Sequence, residues 1–120
     1  MISHVSVHVS NYEKAKEFYT KALAPISYVV VKDFPEYKVA GFGVPGMPDL
    51  WVSEKQPAGG GHVAMLVGDK SAVDAFYKAA LEAGGKDNGA PGLRTEYSPD
   101  YYAAFILDSD GNNIEVVTFK

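Results

Sequence analysis

An α+β domain made of two βαβββ modules is the fold that the sequence predicts, and three observations predict it. Residues 2–23 and 60–81 align without a gap at an offset of 58. His4/His62, Val5/Val63, Val9/Val67, Phe18/Phe76, Tyr19/Tyr77, Ala22/Ala80 and Leu23/Leu81 are identical, seven of 22 positions, where average composition gives about one or two. Each copy opens on alternating apolar residues and continues with apolar residues at helical spacing. Short strand-like runs separated by Pro and Gly then close each copy. The chain is read as one domain, 1–120, of two repeats, about 1–57 and 58–120. Neither repeat alone is large enough to cover its own sheet.

The elements follow in order. Val5, Val7 and Val9 alternate with His4, Ser6, His8 and Ser10, which predicts a strand with one apolar face. Ser10-x-x-Glu13 has the form of a capping box. Ala15, Phe18, Tyr19, Ala22 and Leu23 form a helical stripe, and Pro25 ends the helix. Three strands are expected next, at Ser27–Val31, Tyr37–Phe42 and Asp49–Ser53. The second copy repeats the strand as Val63, Met65 and Val67, with His62, Ala64 and Leu66 on the other face. Its helical stripe is Val73, Phe76, Tyr77, Ala80 and Leu81, stopped by Gly84-Gly85. Because the aromatic stripe occurs twice in the same role, it is read as core. Tyr101–Leu107 and Asn113–Phe119 are strands around the hairpin signal Asp108-Ser-Asp-Gly-Asn112. The remaining strand of this copy is hidden in the glycine-rich stretch Gly84–Arg94.

Composition narrows the function. Hydrophobic residues make up 47% and charged residues 22% of the 120, proportions of a globular domain rather than a disordered chain. With no cysteine there is no disulfide, no thiolate nucleophile and no cysteine-based metal site. A net charge of −4 argues against sequence-independent nucleic-acid binding, which needs a positive face. No apolar run approaches the length of a membrane span, and Met1-Ile2-Ser3-His4 does not open like a signal peptide. A cytoplasmic protein with a small-molecule partner, and neither nucleic acid nor membrane, is expected.

The histidines carry the first functional signal. A rough two-fold axis between the copies would bring His4 and His62 toward each other across the cavity between the sheets. A single strand histidine is ordinarily a surface or hydrogen-bonded residue, but two at equivalent positions make a candidate metal pair. Glu115 lies between Ile114 and Val116 in the last strand, so its side chain alternates away from the helices. An exposed edge carboxylate is the bland alternative. Two imidazoles and one carboxylate suit Zn, Ni, Mn or Fe(II) and leave positions for substrate oxygens. His8 is on the same face as His4 but about 13 Å along an extended strand, too far to share the ion. Trp51, Arg94, Tyr97 and Tyr101, with His8, are the candidate substrate-binding residues. Arg94 is the single arginine and suits an anionic group, although a solvent-facing loop role fits it equally.

The strand His4 followed by Asn11-Tyr-Glu-Lys-Ala-Lys-Glu-Phe-Tyr19, the mid-chain Gly61-His62-Val-Ala64, and Asp108-x-Asp-Gly-Asn-x-Ile-Glu115 resemble the vicinal oxygen chelate (VOC) superfamily. That group includes glyoxalase I, bleomycin-resistance proteins, fosfomycin-resistance transferases, methylmalonyl-CoA epimerase and extradiol dioxygenases. The resemblance covers essentially the whole chain, and its terminal motif is the most specific part. It implies paired βαβββ modules forming a cupped mixed sheet, with one divalent metal ion in the cleft held by His4, His62 and Glu115. It also implies a homodimer, often with ligands drawn from both chains. The stretch Asp87–Arg94 through Tyr101-Tyr102 further resembles small glyoxalase-like proteins of unassigned substrate.

One departure bears on the reaction. Glyoxalase I has a fourth ligand, a Glu that also moves the proton, on the last strand of its first module. The matching position here is Leu50 or Trp51, and neither can ligate; Asp49 is adjacent and is expected to point elsewhere. Three ligands remain, as the resemblance implies for fosfomycin transferases and extradiol dioxygenases. The expected function is a metal-dependent glyoxalase-like enzyme of the lyase or isomerase type. Its substrate would be small and carry vicinal oxygens, with an oxyanion stabilised by the Lewis acid. The sequence assigns no catalytic acid or base; Glu96 and Tyr102 are the candidates. A metal-free drug-binding protein of the bleomycin-resistance type and an Fe(II) extradiol-type dioxygenase are the alternatives.

Overall fold

A computed structural model describes residues 1–120. The order of elements is the expected one, twice over. The first module is β1 (Val5–Val9), α1 (Tyr12–Leu23), β2 (Val29–Phe34), β3 (Val39–Val44) and β4 (Met47–Glu54). The second is β5 (His62–Leu66), α2 (Lys70–Glu82), β6 (Lys86–Leu93), β7 (Tyr102–Leu107) and β8 (Asn113–Thr118). Each module forms its own four-stranded mixed sheet, in the orders β1-β4-β3-β2 and β5-β8-β7-β6. In both, the first strand pairs in parallel with the last and the other pairs are antiparallel. The helix between the first two strands makes this possible, because a parallel pair needs a crossover.

Equivalent side chains cap both helices. Asn11 accepts a hydrogen bond from the Lys14 amide, and Asp69 accepts one from Ala72. These residues are related by the same repeat offset as the histidines. Ser10 is therefore not the cap that its spacing to Glu13 suggested; its amide donates instead to Asp110 at 3.0 Å. Pro25 diverts α1 into a single 3-10 turn, Ala24–Ile26. Gly84, at φ 106, ends α2 in a conformation open to glycine alone without strain.

The helices pack on each other and on one face of each sheet. The covered face of the first sheet offers Val7, Val9, Ala40, Phe42, Leu50 and Val52 to Tyr19, Ala22 and Leu23 of α1. The second offers Met65, Ala104, Ile106, Ile114 and Val116 to Val73, Phe76 and Ala80 of α2. All of these belong to one continuous core shared by the two modules. Leu81 departs from the predicted stripe and is 37% exposed at the end of α2.

The hairpin between β7 and β8 fastens the seam between the modules. Asp108 is buried and accepts from the Tyr19 hydroxyl of α1 at 2.6 Å and from the Asn112 amide and side chain. Asn112 then donates to the His8 carbonyl of β1 at 3.0 Å, where the Gly59 amide also donates. A buried carboxylate without such partners would be strongly destabilising. Here every oxygen has a donor. The hairpin is thus both a turn and a clamp that ties the second module to β1 and α1 of the first.

The glycine-rich stretch is a strand. β6 pairs with β7 through register shifts between Asp87 and Gly89 and between Gly89 and Gly92. These bulges bend the strand and break the alternation that would have announced it.

Candidate functional site

The uncovered face of the second sheet brings His62, Glu115 and Tyr101 together, three of the sequence candidates. Period-two alternation puts His62 on β5 and Glu115 on β8 on this face, while Val63, Ile114 and Val116 face the core. His62 Nε2 lies 3.0 Å from Glu115 Oε1. The carboxylate is 2% exposed, and its other oxygen accepts a hydrogen bond from the Tyr101 hydroxyl. Burial, together with this bond and the carboxylate charge, pushes the Tyr101 phenol up to about 12, so it stays protonated and donates. Phe105 stands beside Glu115 in the register of β7 and β8, with its ring 6.4 Å from that of His62.

Arg94 borders the same group. Its guanidinium lies 5.3 Å over the Phe105 ring and donates to the Gly92 and Ala90 carbonyls exposed by the bulge of β6. No carboxylate forms an ion pair with it. Tyr97 is largely exposed and meets Tyr101 edge to face at 5.1 Å. Phe119 packs on the opposite side of Tyr101 at 5.3 Å.

The first sheet carries the rest. His4 immediately precedes β1 and is exposed, with its Nδ1 3.1 Å from the Ser3 hydroxyl. Its ring is 6.4 Å from Trp51. The choice between Leu50 and Trp51 is settled by alternation: Leu50 is core, and Trp51 stands on the uncovered face beside Ser6. Asp49 falls at the register shift between β3 and β4 and accepts from the Tyr28 hydroxyl at 2.8 Å. His8 is half-buried near the seam, and its backbone carbonyl, not its ring, makes the contacts there.

Away from the seam β1 and β5 part, leaving a cavity of about 510 Å³ lined by His4, Tyr28, Asp49, His62 and Leu66 among others. Beside it, a further cavity of about 580 Å³ shares His4 and Asp49 and reaches Trp51. His4 and His62 therefore face one space, but no group of three metal-ligating side chains closes within the chain. The two candidate proton-moving residues stand apart from His62. Glu96 is exposed in the turn after β6. Tyr102 points to the helix side and donates to Asp74 of α2 at 2.7 Å, so its neighbour Tyr101 is the tyrosine on Glu115.

A nitrogen donor and a buried carboxylate oxygen facing each other are the right chemistry for a borderline divalent ion. A protonated tyrosine fixing the second carboxylate oxygen is the outer support such a ligand requires. By that measure His62 and Glu115 fit a metal, and one further donor is needed to complete the set.

The sequence profile of the Glyoxalase/Bleomycin resistance protein/Dioxygenase superfamily matches residues 1–116. A metallothiol transferase FosB from Shouchella clausii is 28% identical over 119 residues, 98% of this chain and 79% of that protein. The crystal structure of a glyoxalase/bleomycin resistance protein from Albidiferax ferrireducens superposes with a TM-score of 0.80 at 27% identity, covering 97% of this chain and 96% of that one. A glyoxalase I mutant from Zea mays shares the fold at a TM-score of 0.70 and 23% identity, over 97% of this chain and 46% of that one.

Proposed function

Since the chain belongs to the glyoxalase/bleomycin resistance protein/dioxygenase superfamily, we propose that it is a metal-dependent, glyoxalase-like enzyme acting on a small substrate with two vicinal oxygens. The observation that supports this most is the pairing of His62 with the buried Glu115 beneath Tyr101. One divalent ion, Zn, Ni, Mn or Fe(II), would be held by His62, Glu115 and His4. It would supply a Lewis acid for the oxygen pair. His4 is 58 positions from its repeat mate and outside the cluster of its own chain, so a homodimer in which a second copy supplies it completes the set.

The chain's own residues have distinct parts in this reading. Tyr101 holds Glu115 in one orientation and keeps its proton at neutral pH. Arg94 offers positive charge at the edge of the site. Trp51 gives an apolar wall where a proton-moving carboxylate would otherwise stand. Asp49 is the carboxylate on the cavity wall, ahead of Glu96 as the candidate base. A second reading, transfer of a thiol as in the name of the Shouchella relative, is supported by its 28% identity over 98% of this chain.

The test is titration of metal-loaded protein with oxalate, which has two adjacent oxygens, followed by Trp51 fluorescence and calorimetry. Binding that disappears with a chelator supports the proposal. Oxalate binding that is absent, or indifferent to the chelator, overturns it and leaves a metal-free binding protein.

A further inference from the structure

Gly41 sits in the interior of β3, is buried, and has an ordinary φ. Its backbone gives no reason for glycine, and a glycine inside a strand costs stability, so something must approach it closely. That neighbour is the indole of Trp51, its register partner on β4. A Cβ on Gly41 would lie 2.9 Å from both Cη2 and Cζ3 of the ring and 3.1 Å from Pro48. The indole leans over β3 into the space that a side chain would take. On the far side of Gly41, Phe34 of β2 lies parallel to it, with 7° between the planes and 6.3 Å between centroids. Phe34 remains 40% exposed, and Trp51 borders the cavity that His4 also lines.

We propose that Gly41 is a specificity-determining position: it lets Trp51 lean toward Phe34, and the aromatic wall so formed selects substrates carrying a flat ring next to their oxygen pair. This rests on the reading that His62 and Glu115, with the ion, take the oxygens. Any side chain at 41 pushes the indole away from Phe34 and into the cavity, which removes the wall and narrows the space together. An aromatic ring stacked on such a wall gains up to about tenfold in affinity beyond its buried area.

The experiment compares mandelate with lactate, the same 2-hydroxy acid with a phenyl or a methyl group. Both are titrated into metal-loaded wild type, Gly41→Ala and Phe34→Leu, with calorimetry for affinity. Trp51 is the single tryptophan, so its fluorescence reports directly on the wall. Wild type should prefer mandelate about tenfold, with mandelate quenching Trp51, and the ratio should fall toward one in Gly41→Ala. Phe34→Leu should also lower the ratio, and it carries the test should Gly41→Ala not fold. Equal affinities in wild type, or an unchanged ratio in the variants, overturn the proposal, while lactate binding itself sustains the oxygen-pair reading. Binding of neither acid overturns both. A mandelate preference that survives chelation keeps the aromatic wall and overturns the metal reading alone.

Discussion

Nε2 of His62 and Oε1 of Glu115 lie 3.0 Å apart, although 53 positions separate them in the chain. The parallel pairing of β5 with β8 produces this contact, since it sets the two residues on one face in adjacent strands. Glu115 is then shielded from water on one side by Tyr101 and on the other by Phe105 and His62.

Tyr101 should act through Glu115. Replacing it with Phe removes a hydrogen bond to a charged, buried oxygen, an interaction of about 1.5–3 kcal/mol. Tyr101→Phe should lower metal affinity, or kcat/KM once a substrate is known, by about ten- to a hundredfold. Tyr102→Phe, which loses only an exposed bond to Asp74, should change either value less than threefold, on the order of a surface interaction. Metal titration of both variants checks this, and equal losses would contradict it.

The glutathione hemithioacetal should be a poor substrate. Leu50 is core and Trp51 is apolar, so neither supplies the proton-moving carboxylate that the resemblance to glyoxalase I implies at this position. Such a base is typically worth about 10²–10⁴-fold in rate. Rapid isomerisation by wild type would show that another group serves. Asp49→Asn and Glu96→Gln would then identify it, Asp49 being the one on the cavity wall.

Stability should fall at both extremes of pH through one partly buried cluster that joins α1 to β2. Lys16, 2.5 Å from Asp33, and the Tyr12 hydroxyl hold the Asp33 carboxyl below its ordinary value. A lowered folded-state value means that the contribution is present above the unfolded carboxylate pKa near 4 and is lost as pH falls further. Burial and Asp33 raise Tyr12 to about 12, so its contribution is present below about 10 and is lost as pH rises toward 12. Solvent screening keeps the ion pair within about 1 kcal/mol. Urea midpoints of Asp33→Asn across pH should lose both limbs in part; a profile identical to wild type would refute the assignment.

Much of the fold could be read in advance because the repeat is local and gapless. Val5, Val7 and Val9, and their mates at 63, 65 and 67, declare strand faces without any knowledge of the partner strand. β6 is hidden because Gly89 and Gly92, at its register shifts, carry no side-chain pattern, and its pairing is supplied by β7. Asn11 outcompetes Ser10 as a cap since the helix begins one residue later than the spacing to Glu13 suggests. At the site, His62, Glu115 and Trp51 follow from alternation alone. The choice of Tyr101 over Tyr102 does not, because it depends on where β7 starts. Asp49 was not legible, because the register shift between β3 and β4 falls on it. The separation of His4 from Glu115 reflects how two sheets meet, which no local pattern encodes.

Association should complete the site. Leu66 on the uncovered face of the second sheet is 71% exposed, and a second copy of the chain would cover it. Light scattering should report twice 12.9 kDa at micromolar concentration. Mixing His4→Ala with His62→Ala protein, after partial unfolding and refolding, should restore a fraction of the metal sites that each lacks. A strictly monomeric particle, or no recovery, would place the whole ligand set within one chain.

Metal content is the most direct measurement of the central claim. Elemental analysis of protein purified without chelators, and again after reconstitution with zinc, nickel, manganese and ferrous iron, should give one ion per chain. His4→Ala, His62→Ala and Glu115→Ala should each lose it, whereas His8→Ala should keep most of it. Because protons compete with the ion for its ligands, acid should also release it. Wild-type protein that holds no ion under any of these conditions, or that holds it equally well in Glu115→Ala, would contradict the account.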